Sequence, residues 1–417
     1  MKGLIKYWYS WFKKQSWVIK WFLWLILLMP IIAMFHDKSG GFSVLQVSGT
    51  ISFLAYLNII AARRIKLKTF ELVIFIFGVL LIFNNGIYFI LNISASNFGF
   101  ALRNILPLLL YFYLRRVVKT RFDLDGILQT FLIASIFPLT IMLYEFFFAP
   151  IKEVYTNESR GGFARLSGFY ADIFSYMAYV IGDFVIISYF LLRRKVSFTA
   201  LQFGLFFGLI IIGLLSVSHQ ASWIVFVVLL VFFMWFSFGS KVSSKVWGTI
   251  LIGIAVGGGF LLDSYIEPLF NKELSVYRGV ADQDKVLNGR IVRWKAYFDR
   301  WEDLPFGSHL FGVGASGSEY SRSMMSGGMH SDYVRFLFAT GYLGIFMYLM
   351  FYVSVLVRTK GMEKPEKFLV LSGIAIMLLY AVSANPFGSS GSLIFLTMAI
   401  FAFATINKKI IYGNSSK

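Results

Sequence analysis

The sequence predicts an all-α polytopic membrane protein with about twelve transmembrane helices and one large extracytoplasmic loop. Three observations lead to this class. Of the 417 residues, 58% are hydrophobic and only 14% are charged, whereas a soluble domain carries roughly 25% charged residues. Apolar runs of about 20 residues, long enough to cross a bilayer, recur along the chain. The loops between these runs are alternately rich and poor in Lys and Arg.

The apolar runs define the predicted spans one by one. The first run follows a basic, aromatic leader and precedes no small-residue cleavage site, so it is interpreted as a span rather than as a cleaved signal. The predicted spans cover residues 17–35, 42–62, 69–91, 98–114, 126–149, 168–192, 198–215, 221–239, 246–262, 333–357, 368–385 and 391–406.

The basic residues orient these spans. Lys and Arg cluster in the N-terminal segment and around residues 63–68, 115–121, 193–195 and 358–367, whereas the short loops on the opposite side hold few. Because cytoplasmic loops are enriched in Lys and Arg, both termini are predicted to be cytoplasmic. This placement also argues against nucleic acid as the partner of the net charge of +18. The chain thus divides into spans 1–9 (residues 1–262), the large loop with an amphipathic helix (263–332), and spans 10–12 with a cytoplasmic tail (333–417).

The large loop, residues 263–332, has an ordered pattern. Trp294, Tyr297 and Trp301 recur at helical spacing, which predicts an amphipathic helix over about residues 290–301. The Gly-rich stretch 312–317 lacks the Lys-Ser/Thr ending of a phosphate-binding loop, so it indicates a nucleotide site only weakly.

The cations of this loop are mostly arginines, on a side where cations are normally sparse. A guanidinium suits bidentate binding of phosphate. Salt bridges within a small lid are the alternative interpretation. The arginines are Arg278, Arg290, Arg293, Arg300 and Arg322.

Three segments place ionisable residues at the predicted outer membrane boundary, where such residues indicate function. Arg160 and Arg165 lie between spans 5 and 6, and His219 lies in the tight turn between spans 7 and 8. His330 lies where the large loop re-enters the membrane. His219 as an ordinary turn residue, and His330 as an interface residue at a helix start, are the alternatives.

Five short motifs follow one another along these segments. They are Arg165-x-x-Gly168 before Asp172, Ser216-x-Ser218, Asn288-Gly289-Arg290-x-x-x-Trp294, Leu310-Phe311-Gly312-Val313-Gly314, and His330-Ser331-Asp332-Tyr333 with Gly341-x-x-Gly344. Taken in order, these motifs resemble those of the O-antigen ligase and Wzy-type polymerase family. Two positions depart from the family pattern: the family has Arg after the Ser of its turn, where this chain reads His219-Gln220, and it often has Asn near Asp332.

The resemblance implies a GT-C-like, inverting, metal-independent glycosyltransferase that acts on an undecaprenyl-diphosphate-linked oligosaccharide. Fixed arginines would stabilise the negative charge that builds on the leaving diphosphate. A histidine near its reference pKa can take the proton of the attacking hydroxyl. The sequence shows no cysteine and no cluster at metal-ligand spacing, so no cofactor is expected. His330 and Arg290 are the expected catalytic residues, and Arg165, Arg160, Arg293 and His219 are expected to bind the diphosphate.

The expected activity is polymerisation of repeat units for a bacterial surface polysaccharide, an O-antigen, capsule or exopolysaccharide. An O-antigen ligase that transfers polysaccharide to lipid A core is the first alternative. A flippase or other transporter is the second, although the chain shows no internal repeat and few charges within its spans. The expected partners are a lipid-linked donor and acceptor, membrane lipids, and the flippase and chain-length regulator of the same pathway. The expected location is the bacterial cytoplasmic membrane, with the active site facing outside.

Overall fold

Helices make up nearly all of the described structure. The computed structural model describes residues 2–34, 38–39, 42–43, 51–52, 55–56, 69–91, 95–151, 166–170, 174–195, 199–238, 246–248, 250, 253, 267–280, 290–314, 330–387 and 392–406. A two-residue antiparallel pair joins β1 (Lys38–Ser39) to β2 (Phe42–Ser43). The helices are α1 (Lys2–Lys14), α2 (Trp17–Ile32), α3 (Thr69–Leu91), α4 (Ala95–Val117), α5 (Arg121–Phe147), α6 (Phe174–Leu192), α7 (Ala200–Val217), α8 (Gln220–Ser237), α9 (Glu267–Tyr277), α10 (Arg290–Glu302), α11 (Phe306–Phe311), α12 (Asp332–Arg358), α13 (Lys364–Ser383) and α14 (Ser392–Ala404).

The described helices agree with an all-α polytopic membrane protein. Four of them, α5, α8, α12 and α13, are long and apolar enough to cross a membrane, and shorter apolar helices accompany them. The count of twelve spans stays a prediction, because several predicted spans fall partly or wholly outside the described residues. The helix expected over residues 290–301 is present as α10.

Two predicted span boundaries are wrong. Residues 166–170 form a turn and α6 begins at Phe174, whereas the hydropathy had placed the sixth span from residue 168. Within this turn Gly168 adopts a left-handed backbone conformation with φ of 57°, which does not occur inside a right-handed helix. Residues 42–43, placed at the start of the second span, are a strand instead.

The apolar core runs through the whole bundle, with α14 at its centre. Every residue of α14 is buried, and this helix packs against α2, α4, α5, α6 and α13. A helix that is apolar on all sides can lie at the centre of a bundle. The sequence of α14, which carries no charged residue, suits that position.

One end of the bundle is held by ion pairs between helix termini. Arg115, at the end of α4, contacts Glu71 at the start of α3 (2.6 Å). Arg193, which follows α6, contacts Asp125 in the first turns of α5 (2.8 Å), and Lys195 contacts the same carboxylate. Arg121 contacts Glu366 at the start of α13 (2.8 Å). We call this end, defined by these pairs, the basic end.

The opposite end collects the turns that carry the predicted site. Leu166 N–H donates to the carbonyl oxygen of Ser216, which joins the turn before α6 to the turn between α7 and α8 (2.8 Å). Asp332 N–H donates to the carbonyl oxygen of Ala384, which joins the start of α12 to the end of α13 (3.1 Å). We call this the site end. Its separation from the basic end agrees with the alternation of basic loops in the sequence.

The helix α12 is sharply bent at Gly341, where φ is 67° and ψ is −168°. The rings of Tyr333 and Tyr348 lie 6.1 Å apart, and those of Phe336 and Tyr348 lie 4.7 Å apart. A straight helix would separate these pairs by about 22 Å and about 18 Å. The first segment of α12 (residues 332–340) therefore folds over the end of the bundle. The helix predicted over residues 333–357 is present as α12, but it is interrupted at Gly341, and hydropathy is insensitive to such a backbone bend.

The bend exposes backbone groups that the large loop satisfies. The N–H of Val313 donates to the carbonyl oxygen of Phe338 (2.8 Å), and that of Gly314 donates to Ala339 (3.2 Å). Asn84 of α3 donates from Nδ2 to the carbonyl oxygens of Ala339 (3.1 Å) and Phe311. The loop and the bent helix thus complete each other's hydrogen bonds.

This contact requires glycine on both sides. A Cβ at Gly312 would overlap the backbone of Ala339 and Thr340, and a Cβ at Gly341 would overlap the backbone of Leu310. The glycines of the Leu310–Gly314 motif therefore serve close backbone packing at this point.

Candidate functional site

His330 stands directly before α12, in a backbone conformation unusual for its residue type. Its φ is 43°, a left-handed value that costs about 1 kcal/mol or more in a residue other than glycine. The neighbouring residues hold it there. Ser331 caps α12 through its side chain, and its hydroxyl donates to the carbonyl oxygen of Ala381 on α13 (2.9 Å). Tyr333 donates from its hydroxyl to the carbonyl oxygen of Leu378 (2.9 Å).

A buried ion pair braces the same turn. Asp332 contacts Arg335 one turn further along α12 (2.5 Å), and both side chains are almost wholly buried. The second carboxylate oxygen of Asp332 accepts from the N–H of Phe387 (2.8 Å). A buried carboxylate needs such partners, because desolvation is costly. The pair therefore holds the start of α12 against the segment that follows α13.

Helix α10 lies on the first segment of α12. Tyr297 and Trp301 are buried, and their rings contact that of Phe338 at 5.7 and 5.0 Å. His309 of α11 is bonded through Nε2 to the carbonyl oxygen of Trp301 (2.6 Å), which ties α11 to α10. The aromatic spacing that predicts the helix is thus also the surface by which the helix docks.

The docking of α10 brings its first arginines close to His330. The pKa of His330 is lowered, first by partial burial of the ring and then by the positive charges of Arg290 and Arg293. The side chain nevertheless keeps an exposed surface. A lowered pKa keeps the imidazole neutral over a wider range of pH. Three of the predicted site residues, Arg290, Arg293 and His330, therefore act on one another in the structure.

His219 belongs to a neighbouring network. It precedes α8 after the left-handed residue Ser218, whose φ is 48°. Its Nδ1 lies 2.9 Å from Oγ of Ser222, and the hydroxyl of Tyr380 donates to the same Oγ (3.0 Å). The rings of His219 and Tyr380 are stacked. The imidazole is therefore fixed in position by α8 and α13 together.

The end of α13 connects the two histidines. Tyr380 bonds to Ser222 beside His219, and the next residue, Ala381, accepts from Ser331 beside His330. Sequence reasoning did not find Tyr380 or Arg335. Tyr380 is distant in the sequence from Ser222, so no local pattern marks it. Arg335 forms an opposite-charge pair with Asp332 at i, i+3, a spacing that could have revealed it.

A buried carboxylate forms hydrogen bonds next to the turn that precedes α6. Glu145 is buried and accepts from the hydroxyl of Tyr176 (2.8 Å) and from the N–H of Ile151 (2.8 Å). A Cβ at Gly168 would overlap the hydroxyl of Tyr176, so this residue fits only as glycine. The predicted residues Arg160 and Arg165, which precede this turn in the sequence, lie outside the described residues.

The comparisons with known proteins concern the centre of the chain. Residues 204–349 match the family model Wzy_C, described as O-antigen ligase. This match confirms the resemblance to the O-antigen ligase and Wzy-type family, and its range includes His219, Arg290, Arg293 and His330. The family fits O-antigen polymerases and ligases in general and does not separate them. A search of curated proteins found no match to the chain.

Proposed function

We propose that the protein is a membrane glycosyltransferase that polymerises undecaprenyl-diphosphate-linked repeat units of a bacterial surface polysaccharide. The observation that carries the proposal is the group of Arg290, Arg293 and His330 at the start of α12. This group lies within the range matched by the family model. It combines two charged donors suited to a diphosphate with one neutral base.

The arginines would bind the leaving group. When the glycosidic C–O bond breaks, its electron pair passes to a diphosphate oxygen, and negative charge grows there. Arg290 and Arg293 stand one helical turn apart at the start of α10, and fixed guanidinium groups stabilise such charge without reorganisation. Arg165 and Arg160 are proposed to contact the same diphosphate. No metal ion is proposed, and in the described part of the chain no three His, Asp or Glu side chains form a group suited to one.

His330 would act as the general base. The hydroxyl oxygen of the acceptor sugar attacks the anomeric carbon from the side opposite the diphosphate, so the configuration inverts, and the proton passes to His330. A base must be neutral to take a proton, and the lowered pKa of His330 favours that form. His330 is an exposed residue, which leaves room for an acceptor to approach it.

His219 would contribute to the same donor site as a hydrogen-bond donor. It occupies the position after the Ser216–Ser218 turn where the resembling family has Arg. A neutral imidazole brings a hydrogen bond but no charge. The stacked Tyr380 and the bonded Ser222 hold the ring in one orientation, so we propose that this histidine positions the diphosphate.

Transfer of a finished polysaccharide to lipid A core is the second candidate, because the matching family model is described as O-antigen ligase. The two activities share the donor chemistry and differ in the acceptor. A polymerase needs only lipid-linked repeat units, whereas a ligase needs a lipid A core acceptor.

Reconstitution of the purified protein in vesicles tests the proposal directly. Supplied with lipid-linked repeat units alone, a polymerase yields chains that lengthen with time. A ligase yields product only after lipid A core is added. Absence of glycosyl transfer under both conditions, together with movement of the lipid-linked unit between leaflets, would show that the protein is a transporter and not a glycosyltransferase. Deletion of the gene gives an independent result: single repeat units on the cell surface indicate a lost polymerase.

A further inference from the structure

The position of α11 along the bundle can be measured from the basic end. Asn84 lies thirteen residues after Glu71 on α3, which places it about 20 Å from the basic end. The second segment of α12, residues 342–358, is about 25 Å long by the same rise per residue. Asn84 bonds to the carbonyl oxygen of Phe311 at the end of α11. Two helices thus place α11 roughly 20–25 Å from the basic end, within the roughly 30 Å of a hydrocarbon core.

The side chains at this level are apolar and exposed. Phe306 and Phe311 of α11 are 74% and 50% exposed, and Tyr342 and Phe346 of α12 are 52% and 53% exposed. Tyr342 begins an exposed apolar stripe on α12 that continues through Phe346 toward the basic end. α11 lies beside the first residue of this stripe: the ring centroids of His309 and Tyr342 are 6.3 Å apart.

The backbone of this part of the loop is suited to an apolar medium. Irregular backbone is tolerated at membrane depth only where its polar groups find partners in the protein. Val313 and Gly314 donate to the carbonyl oxygens of Phe338 and Ala339, and Gly312 donates to Ser308 (2.7 Å). The carbonyl oxygen of Phe311 accepts from Asn84. The bend in α12 therefore supplies the hydrogen bonds that lipid cannot supply.

We infer that α11 lies in the outer leaflet of the bilayer, with Phe306 and Phe311 in contact with lipid acyl chains. This inference rests on the membrane placement of the proposed function and deepens it. The end of α10 is tied to α11, because His309 is bonded to the carbonyl oxygen of Trp301, so α10 is held beside the outer leaflet. The large loop is thus partly embedded rather than wholly extracytoplasmic.

Site-directed spin labelling tests this inference in the full-length protein. The chain has no cysteine, so single variants can be labelled without a background. Phe311→Cys and Phe306→Cys are the test positions. Phe346→Cys, on the apolar stripe of α12, is the lipid control, and Tyr277→Cys, 91% exposed on α9, is the water control. Each labelled protein is reconstituted in phosphatidylethanolamine–phosphatidylglycerol vesicles, and relaxation by oxygen is compared with relaxation by a water-soluble nickel chelate.

The expected order of the oxygen-to-nickel ratio is Phe346, then Phe311, then Phe306, then Tyr277, with Phe311 severalfold above Tyr277. A ratio at both Phe311 and Phe306 equal to that at Tyr277 would overturn the inference. Low accessibility to both reagents at both test positions would also overturn it, since protein rather than lipid would then cover α11. A nickel-accessible Phe346 would instead contradict the membrane placement itself. Two test positions keep the result decisive if one variant does not fold.

Discussion

The two ends of the bundle use the same residue type for different purposes. At the basic end, arginines are paired with buried carboxylates: Arg193 with Asp125, and Arg121 with Glu366. At the site end, Arg290 and Arg293 lie near His330, whose pKa is lowered first by burial and then by these two positive charges. An arginine that offsets a carboxylate joins helices. Arginines that gather around a histidine prepare a place for an anion and keep the histidine neutral.

The largest effect on turnover is expected from His330 at the site end. His330→Ala should lower turnover by about two to four decades, the range for a general base. His330→Gln should be almost as damaging, because an amide can donate a hydrogen bond but cannot take up a proton. Steady-state rates on reconstituted protein check this, with donor binding measured separately. Near-normal turnover in His330→Gln would leave this residue a positioning role only.

Replacement of Arg290 is expected to cost less. Arg290→Ala should lower turnover by about one to two decades, which corresponds to roughly 1.5–3 kcal/mol for a hydrogen bond to a charged group. Arg290→Lys should be partly impaired, because lysine keeps the charge but not the two-pronged geometry. Arg300→Ala, an exposed position on the same helix, is the matched control and should be close to wild type. Equal activity in Arg290→Ala and Arg300→Ala would remove Arg290 from the site.

The pH dependence of turnover tests the electrostatic coupling between α10 and His330 at the site end. Burial, and then the positive charges of Arg290 and Arg293, lower the pKa of His330, so its neutral form persists to lower pH. Arg293→Gln removes one such charge and should raise that pKa. The acid limb of the pH–rate profile should therefore move to higher pH, whereas Arg300→Gln should leave it in place. An acid limb that stays fixed in Arg293→Gln would show that this limb does not report His330.

The smallest effect on turnover is expected from the basic end. Asp125→Asn removes the carboxylate that Arg193 and Lys195 share, so that Arg193 keeps only the longer contact with Glu366 (3.8 Å). Breaking a buried pair costs about 3–5 kcal/mol of stability. The variant should unfold at a lower temperature in detergent, while turnover per folded molecule stays near wild type. Glu267→Gln, in the exposed pair with Arg278, is the comparison and should change stability by about 1 kcal/mol at most. Loss of turnover in folded Asp125→Asn would contradict this prediction, because the basic end would then contribute to catalysis as well as to stability.

The sequence predicts those parts of the molecule that depend on local composition. The apolar runs locate most of the described helices within a few residues, and the aromatic spacing locates α10. His330 and His219 are predicted as site residues from local pattern alone, because each lies at a boundary between an apolar run and a polar turn. These patterns can be recognised from the sequence because the residues that form them are close together in the chain.

The parts that sequence reasoning missed depend on distant contacts. The bend at Gly341 needs a loop segment some thirty residues earlier to receive its carbonyl groups, and Asn84, on another helix, completes that contact. The Gly-rich stretch that begins at Gly312 indicates a phosphate-binding loop only weakly. In the structure, Gly312 instead allows close backbone packing against α12. In both cases glycine signals a close approach, but the sequence alone does not reveal the partner.

The docking of α1 has a consequence for the order in which the protein assembles. Trp8 donates from its indole N–H to Thr130 across 122 residues (2.8 Å), and the ring of Trp11 fills the space that a Cβ at Gly126 would occupy. α1 leaves the ribosome well before α5, so its binding site does not yet exist when it emerges. Its basic, amphipathic sequence allows it to wait at the membrane surface. The N-terminal helix can therefore dock only after α5 has been inserted.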